Sequence, residues 1–281
     1  MQKDRPSFTA LRVAMGRAAH QLFDQPLLLE DPPALRVIGP QSAQEIRTHR
    51  ERFDDRFARH LRAFIVARSR LAEDMLHEAL QRRVRQYVVL GAGLDTFAYR
   101  NPYPQLRVFE VDHPTTQIWK RRQLVSSDIA LPQSLTFVPV DFETETLAER
   151  LRACGFEDSE PAFFSWLGVT MYLTEDAVAA TLKFVTKRPA GSAIVFDYAV
   201  SPWTLSFVRR MVVRGILQRV AAIGEPWKTF FDPQTFTDEL RALGFAHVED
   251  LGGEELNARY FKAGAGHLNV TGLGHIVYAR V

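Results

Sequence analysis

Val88-Val89-Leu90-Gly91-Ala92-Gly93-Leu94-Asp95-Thr96 is an apolar run that passes directly into two glycines spaced by one residue. An apolar run this short, bounded by glycine, reads as a buried strand rather than a helix. Glycine carries no Cβ, so a ligand can come close to the backbone of such a turn. The carboxyl end of a strand is also where open α/β sheets bind their ligands. About 20 residues on, Val108-Phe109-Glu110-Val111-Asp112 ends in a carboxylate, the place of a ribose-binding acid in nucleotide folds.

Outward from this turn the same rhythm recurs. Tyr87 to Leu90, Leu106 to Val111, Leu135 to Val140, Ala162 to Trp166 and Ser192 to Phe196 are short apolar runs separated by helical segments. That alternation predicts a parallel sheet with helices on both faces, an α/β fold. Two further runs, Ala246 to Val248 and His275 to Ala279, follow a helix predicted over Asp232 to Leu243 and closed by Gly244. Residues 1–85 read as an N-terminal helical cap, interrupted at Asp31-Pro32-Pro33 and Gly39-Pro40. Its second half places Leu61, Phe64, Ile65, Arg68, Leu71, Ala72, Met75, Leu76 and Ala79 on one helical face. Residues 86–281 then form the core, with an inserted helical lid over 201–233 that carries Trp203, Phe207, Met211, Trp227, Phe230 and Phe231.

The 281 residues suffice for one large core, and Lys+Arg 35 against Asp+Glu 33 gives a net charge of +2. That balance lacks the basic excess of a dedicated nucleic-acid binder, so no nucleic-acid partner is expected. The sole cysteine, Cys154, rules out a disulfide framework and cysteine-based zinc sites; it stands before a Gly155 stop and reads as core. The histidines lack metal-like spacing, and no metal is expected. No apolar run of about 18 residues exists and no secretory leader is visible, which predicts a soluble, cytoplasmic protein without a membrane partner. Arg209, Arg210, Arg214 and Arg219 flank apolar positions of the lid, leaving a membrane-surface helix as the weakest of its three readings, after a pocket cover and a core helix.

Two chemistries share the predicted architecture. A dinucleotide fingerprint wants Gly or Ala at position 96, where the helix N-terminus receives a pyrophosphate. Asp95-Thr96 stands there instead. A carboxylate in the first helical turn repels phosphate but accepts from an ammonium or hydroxyl group. The turn therefore prefers a nucleoside with a zwitterionic tail, of which S-adenosylmethionine is one. A plain tight βα turn, with no ligand at all, is the competing reading.

Gly-Ala-Gly-Leu-Asp-Thr at 91–96, Val-Phe-Glu-Val-Asp-His-Pro at 108–114 and Leu-Gly-Val-Thr-Met-Tyr-Leu-Thr at 167–174 together resemble the leucine carboxyl methyltransferase-like family. These are class I S-adenosylmethionine-dependent methyltransferases, and the resemblance includes the polyketide O-methyltransferase branch. It runs from about Leu11 to the C-terminus. It implies a Rossmann-like sheet of seven strands whose last strand, His275 to Ala279, is antiparallel. It further implies that Gly91, Ala92 and Gly93 line the methionine part of the cofactor, with Asp95 nearby, and that Asp112 accepts from the ribose hydroxyls. Glu110 is the rival acid, or supports the loop.

Asp141 and Phe142 would hold the adenine, with Asp141 as a helix cap the alternative. Arg68 projects from the apolar face, where an unpaired charge is costly, so it needs an anion. The resemblance offers the methionine carboxylate; an internal Asp or Glu is the other option. Leu167 would face the methyl group, where carboxyl-methylating relatives tend to carry Glu, which points to a small-molecule acceptor. His113, beside Asp112, and Asp197-Tyr198 at the end of the fifth run are candidates for a base, each with an ordinary reading: His113-Pro114 as a turn and Asp197 as a strand-end acid. No catalytic residue is assigned. A nicotinamide-dependent oxidoreductase and a non-catalytic cofactor binder remain the alternatives, and the sequence is silent on oligomeric state.

Overall fold

A computed structural model of the chain describes residues 8–141, 144–204, 226–261, 268–271 and 274–281. Phe142, His267 and the lid residues 205–225, with Phe207, Met211 and the four lid arginines, lie outside the described residues. Seven strands form one sheet: β1 Gln86–Leu90, β2 Arg107–Asp112, β3 Leu135–Pro139, β4 Ala162–Trp166, β5 Ala193–Ala199, β6 His247–Leu251 and β7 Gly274–Arg280. Their order is β3-β2-β1-β4-β5-β7-β6. β1 to β5 pair in parallel, and β7 runs antiparallel to both β5 and β6. Each strand lies within two or three residues of its predicted run, because short apolar runs between turn residues leave little choice of boundary.

The period-2 alternation of the strands feeds two cores. Tyr87, Val89, Val108, Ala193, Val195, Ile276 and Tyr278 face one layer; Val88, Leu90, Phe109, Phe164, Ile194, Phe196 and Val277 face the other. The first layer is covered by α5 (Arg56–Gln81) and α10 (Gly253–Tyr260). The second is covered by α7 (Leu147–Ala153), α8 (Glu175–Thr186) and α9 (Pro233–Ala242). Thr174 and Asp232 accept from backbone N–H groups as the N-caps of α8 and α9. Cys154 caps the end of α7, followed by Gly155 at φ +84°.

Helix α5 carries the predicted stripe, with one correction. Ile65, Arg68, Leu71, Ala72, Met75, Leu76 and Ala79 are buried, but Leu61 is 49% exposed. At this level the buried side of the helix is carried by Arg62 and Ala63 instead, which leaves Leu61 on the open side. The long helix packs directly on β4, β5 and β7 and shares their core.

The remaining N-terminal helices, α1 (Phe8–Phe23), α2 (Ala34–Val37) and α3 (Gly39–Thr48), build a smaller core with Leu94 of the glycine turn and Leu124 of α6 (Pro114–Ser126). Between α3 and α5 lies the single turn α4 (Arg50–Phe53). Asp31, which the sequence marks only as a chain break, welds this unit to the sheet. Its fully buried carboxylate accepts from Arg17 Nε at 3.1 Å and Thr96 Oγ1 at 2.7 Å, and lies 3.4 Å from Arg100 Nε. Arg17 also donates to the Leu94 carbonyl at 2.5 Å.

Replacing Asp31 by Ala leaves the buried Arg17 guanidinium without its anion, a loss of about 3–5 kcal/mol, while Arg100 keeps its pairing with Glu73. Urea denaturation of Asp31→Ala is expected to show that loss, with amide protection falling first in α1. An unchanged midpoint would refute the weld.

Candidate functional site

The glycine turn closes differently from the simple βα turn expected of it. Gly91 and Gly93 have φ of +65° and +46°, conformations that only glycine takes without strain. No α-helix follows; a single 3-10 turn, Phe97–Arg100, does. Asp95 therefore does not stand in a first helical turn. Its Oδ1 accepts from the Phe97 N–H at 2.9 Å and caps the 3-10 turn. The missing Cβ groups also serve the chain itself. A Cβ at 91 would come within 2.5 Å of Val169 Cγ2, and one at 93 within 3.2 Å of Ala10 Cβ. The loop after β4 and helix α1 thus approach the turn on the sides that the sequence reserves for a ligand. Ala92 is buried, while the Gly91 backbone stays exposed.

Asp112 ends β2 beside this turn, as expected, and its carboxylate bends back onto the chain. Oδ2 accepts from the Gly93 N–H at 2.6 Å and Oδ1 from the His113 N–H at 2.7 Å. Burial raises its pKa, opposed by those two backbone donors. Asp112 therefore supports the loop, the role considered for Glu110; with Thr116 as a third donor, its carboxylate still has acceptor capacity for a hydroxyl group.

Glu110 turns into the interior. Lys120 Nζ lies 2.6 Å from its Oε2, Tyr99 OH donates at 3.3 Å, and both Glu110 and Lys120 are buried. Glu110 is pushed up to about 7, first by burial, with Lys120 pulling the other way. His113, adjacent to Asp112, is the N-cap of α6 through Nδ1 and Thr115 N–H at 3.3 Å. This agrees with its ordinary reading as a turn residue, with Nδ1 committed to the cap.

Arg68 finds an internal acid. Its Nη1 donates to Asp197 Oδ2 at 2.8 Å, and both groups are buried. Asp197, at the end of β5, accepts in addition from the Gly168 N–H at 2.5 Å, and its carbonyl takes Thr170 Oγ1 at 2.6 Å. The guanidinium lies flat against Gly168: a Cβ there would come within 2.8 Å of Nη2, and φ is +75°. Leu167, half-buried, precedes this contact. Asp197, with no exposed surface and both oxygens bonded within the chain, is not placed to take a proton from an acceptor; its signal in the sequence is a lone acid ending an otherwise apolar run. Arg68 Nε is buried with no hydrogen-bond partner.

The end of β3 is less defined. The Asp141 N–H donates to Glu145 Oε2 at 3.0 Å, and its carbonyl closes the following turn. Among the described residues the next helix is α7, which starts at Leu147 with Thr146 as its cap; Glu143, where the sequence places a helix start, lies outside the described residues. The chain returns from the insertion along the carboxyl edge of β4 and β5. Lys228 N–H donates to the Met171 carbonyl at 2.7 Å, Thr229 Oγ1 to Leu173 O at 2.6 Å, and Phe231 N–H to Ala199 O at 3.0 Å. Trp227 and Phe230, paired at 6.1 Å, ride on this return segment. Among the described residues, no group of three or more His, Cys, Asp or Glu side chains could hold a metal ion. No helix among them is long and apolar enough to cross a membrane.

The seven-stranded order, the glycine turn and the acid after β2 define a class I methyltransferase fold. The leucine carboxyl methyltransferase family model matches residues 10–186. A Bacillus subtilis (strain 168) protein named "Putative S-adenosyl-L-methionine-dependent methyltransferase YktD" is 32% identical over 302 residues, covering 99% of each chain. A Mycobacterium tuberculosis (strain H37Rv) protein whose name begins with the same words is 32% identical over 201 residues, covering 67% of this chain and 65% of its own. The solved structure described as a "putative methyltransferase" from Thermobifida fusca YX superposes with a TM-score of 0.56 at 14% identity, over 99% of this chain and 96% of that one. The chain belongs to the leucine carboxyl methyltransferase family of S-adenosylmethionine-dependent enzymes. With that, the nicotinamide reading loses its ground.

Glu110 makes the pH dependence of stability specific. Its folded pKa of about 7 exceeds its ordinary 4.5, so the folded state holds the proton more tightly than the unfolded one. The stability it contributes is complete below pH 4.5 and is lost as pH rises through 7. A tenfold change in proton affinity is worth about 1.4 kcal/mol, so the loss is on the order of 2–3 kcal/mol. Urea denaturation should show wild type losing that amount relative to Glu110→Gln between pH 5 and pH 8. A difference that stays flat or grows would contradict the assignment.

Proposed function

We propose that this protein transfers the methyl group of S-adenosylmethionine to an oxygen of a small aromatic or polyketide-like acceptor. The observation that carries the acceptor class is Leu167. It stands apolar and half-buried beside the Arg68–Asp197–Gly168 contact, where a protein-carboxylate methylating site would carry an acid. The aromatic pair Trp227 and Phe230, fastened over the ends of β4 and β5, supports a flat apolar partner on that side.

The donor set fits the cofactor. The exposed Gly91 backbone, with Ala92 and Gly93, would receive its methionine portion, and Asp95 Oδ2 its ammonium group. Arg68 retains one unpartnered buried N–H, on Nε, for the methionine carboxylate. Asp112 has acceptor capacity left for ribose hydroxyls. Asp141 and Phe142 would face the adenine. When bound, the cofactor supplies a methyl group already activated by its sulfonium. The protein's own contribution is alignment and exclusion of water, and alignment alone can contribute about 7–11 kcal/mol.

Methyl-deuterated S-adenosylmethionine tests the reading directly. Incubated with a panel of phenols, enolic polyketide mimics and a peptide ending in a free leucine carboxylate, the protein is expected to label hydroxyl oxygens and leave the peptide unlabelled. Labelling of the peptide would overturn the acceptor class. Cofactor binding with no labelled product from any member would favour the non-catalytic binder.

A further inference from the structure

The strand order divides the carboxyl edge of the sheet into two halves. Asp112, the glycine turn and Gly168 follow β2, β1 and β4, and the proposed cofactor contacts lie there. The half over β5, β7 and β6, beside the return segment that carries Trp227 and Phe230, is the one left for an acceptor. Because β7 is antiparallel, its first residues meet the last residues of β5 and β6 at this same edge: Tyr198 pairs with His275, and Asp250 with Val277. Tyr198 OH donates to Asp250 Oδ2 at 2.6 Å, and His275 Nδ1 lies 3.0 Å from Asp250 Oδ1. Of these three, sequence reasoning names only Tyr198, beside Asp197, as a candidate base; Asp250 and His275 carry no chemical role in it.

We propose that His275, oriented by Asp250, takes the proton of the acceptor's hydroxyl group, and that the acceptor is therefore a phenol or enol. The proposal rests on the methyltransferase reading above. A carboxylate acceptor is already ionised at neutral pH and needs no base, whereas a phenol or enol keeps its proton there.

Four observations set the imidazole up for this task. The acceptor-only carboxylate of Asp250 fixes the proton on Nδ1 and leaves the lone pair on Nε2. Tyr198 is held as the neutral phenol, raised by burial and then by the Asp250 charge, so it steadies Asp250 rather than competing for the proton. A Cβ at Gly252 would stand 2.9 Å from Nε2 and 3.1 Å from Cε1, so the glycine is what lets the imidazole edge sit against this turn. Finally, His275 and Asp250 keep 24% and 12% of their side-chain surface open. The other carboxylates nearby are committed: Glu255 Oε2 accepts from the Gly252 N–H at 3.0 Å, Asp232 caps α9, and Asp197 holds Arg68 and Gly168. Phe64 bridges the halves, its ring against Gly274 and 5.9 Å beneath the Arg68 guanidinium.

In the step, the acceptor's O–H bond breaks and its proton moves to Nε2. The electron pair stays on oxygen, making it the nucleophile for the methyl group. The resulting imidazolium is held by Asp250 until it returns the proton to water.

4-Nitrophenol reports the proton transfer without turnover, since its phenolate is yellow and its phenol colourless. With protein saturated by S-adenosylhomocysteine and buffered below the probe's own ionisation, bound probe is expected to turn yellow. His275→Asn, which keeps a donor toward Asp250, should lower that band at least about tenfold, and Asp250→Asn should weaken it. His275→Gln serves if the Asn variant does not fold. Equilibrium dialysis with S-adenosylhomocysteine should give wild-type binding for the variants. No band on wild type, or a band that survives the loss of His275, overturns the proposal. Failure of wild type to bind S-adenosylhomocysteine in dialysis would instead sink the methyltransferase reading beneath it.

Discussion

The Asp197 carboxylate, buried at the end of β5, holds three parts of the molecule at one point. One oxygen accepts from Arg68 of the long helix α5, the other from the Gly168 N–H after β4. A charge with no exposed surface survives only when paired and fully bonded. The pair therefore sets how close α5 may come to the sheet edge. It also sets the conformation of the β4 loop, whose glycine has no side chain because the guanidinium occupies that place. Leu167 and Val169 owe their positions to it, and Val169 in turn packs against Gly91.

Two further carboxylates, the half-buried Asp112 and the fully buried Asp31, extend the same principle along the edge. Asp112 clamps the glycine turn through the Gly93 N–H, and Asp31 ties the N-terminal helices to Thr96 and Arg100 just beyond it. Leu94, between those two anchors, plugs the small core of α1 to α3. The turn is thus fastened from below by β2 and from above by the cap. A site so braced presents its donors and acceptors in fixed positions, which is what alignment of two reactants requires.

Much of this was legible in the residues. The sheet was readable because buried parallel strands are short continuous apolar runs, and α5 because Ile65 to Ala79 repeats at the helical period. The acid at Asp112 and the cation at Arg68 were visible as charges in apolar surroundings. Their partners were not. Arg68 could have met a ligand or any internal acid, and only the pairing of β4 with β5 brings Asp197 within reach. Glu110 and Asp112 share a strand face, yet one enters the interior toward Lys120 and the other bends onto the turn. Strand periodicity is blind to that difference. Asp31 looked like a chain break because Asp-Pro-Pro is turn chemistry locally, while its three partners are distant in sequence. The same holds for His275 and Asp250, which meet only because β7 runs antiparallel between β5 and β6.

The braced turn is held to accept a nucleoside with a zwitterionic amino-acid tail and to refuse a diphosphate. Isothermal titration of S-adenosylhomocysteine and of NAD into the same protein tests this in one measurement. Saturable one-to-one heat is expected for the former and none for the latter. Heat from NAD alone, or from neither, would contradict it.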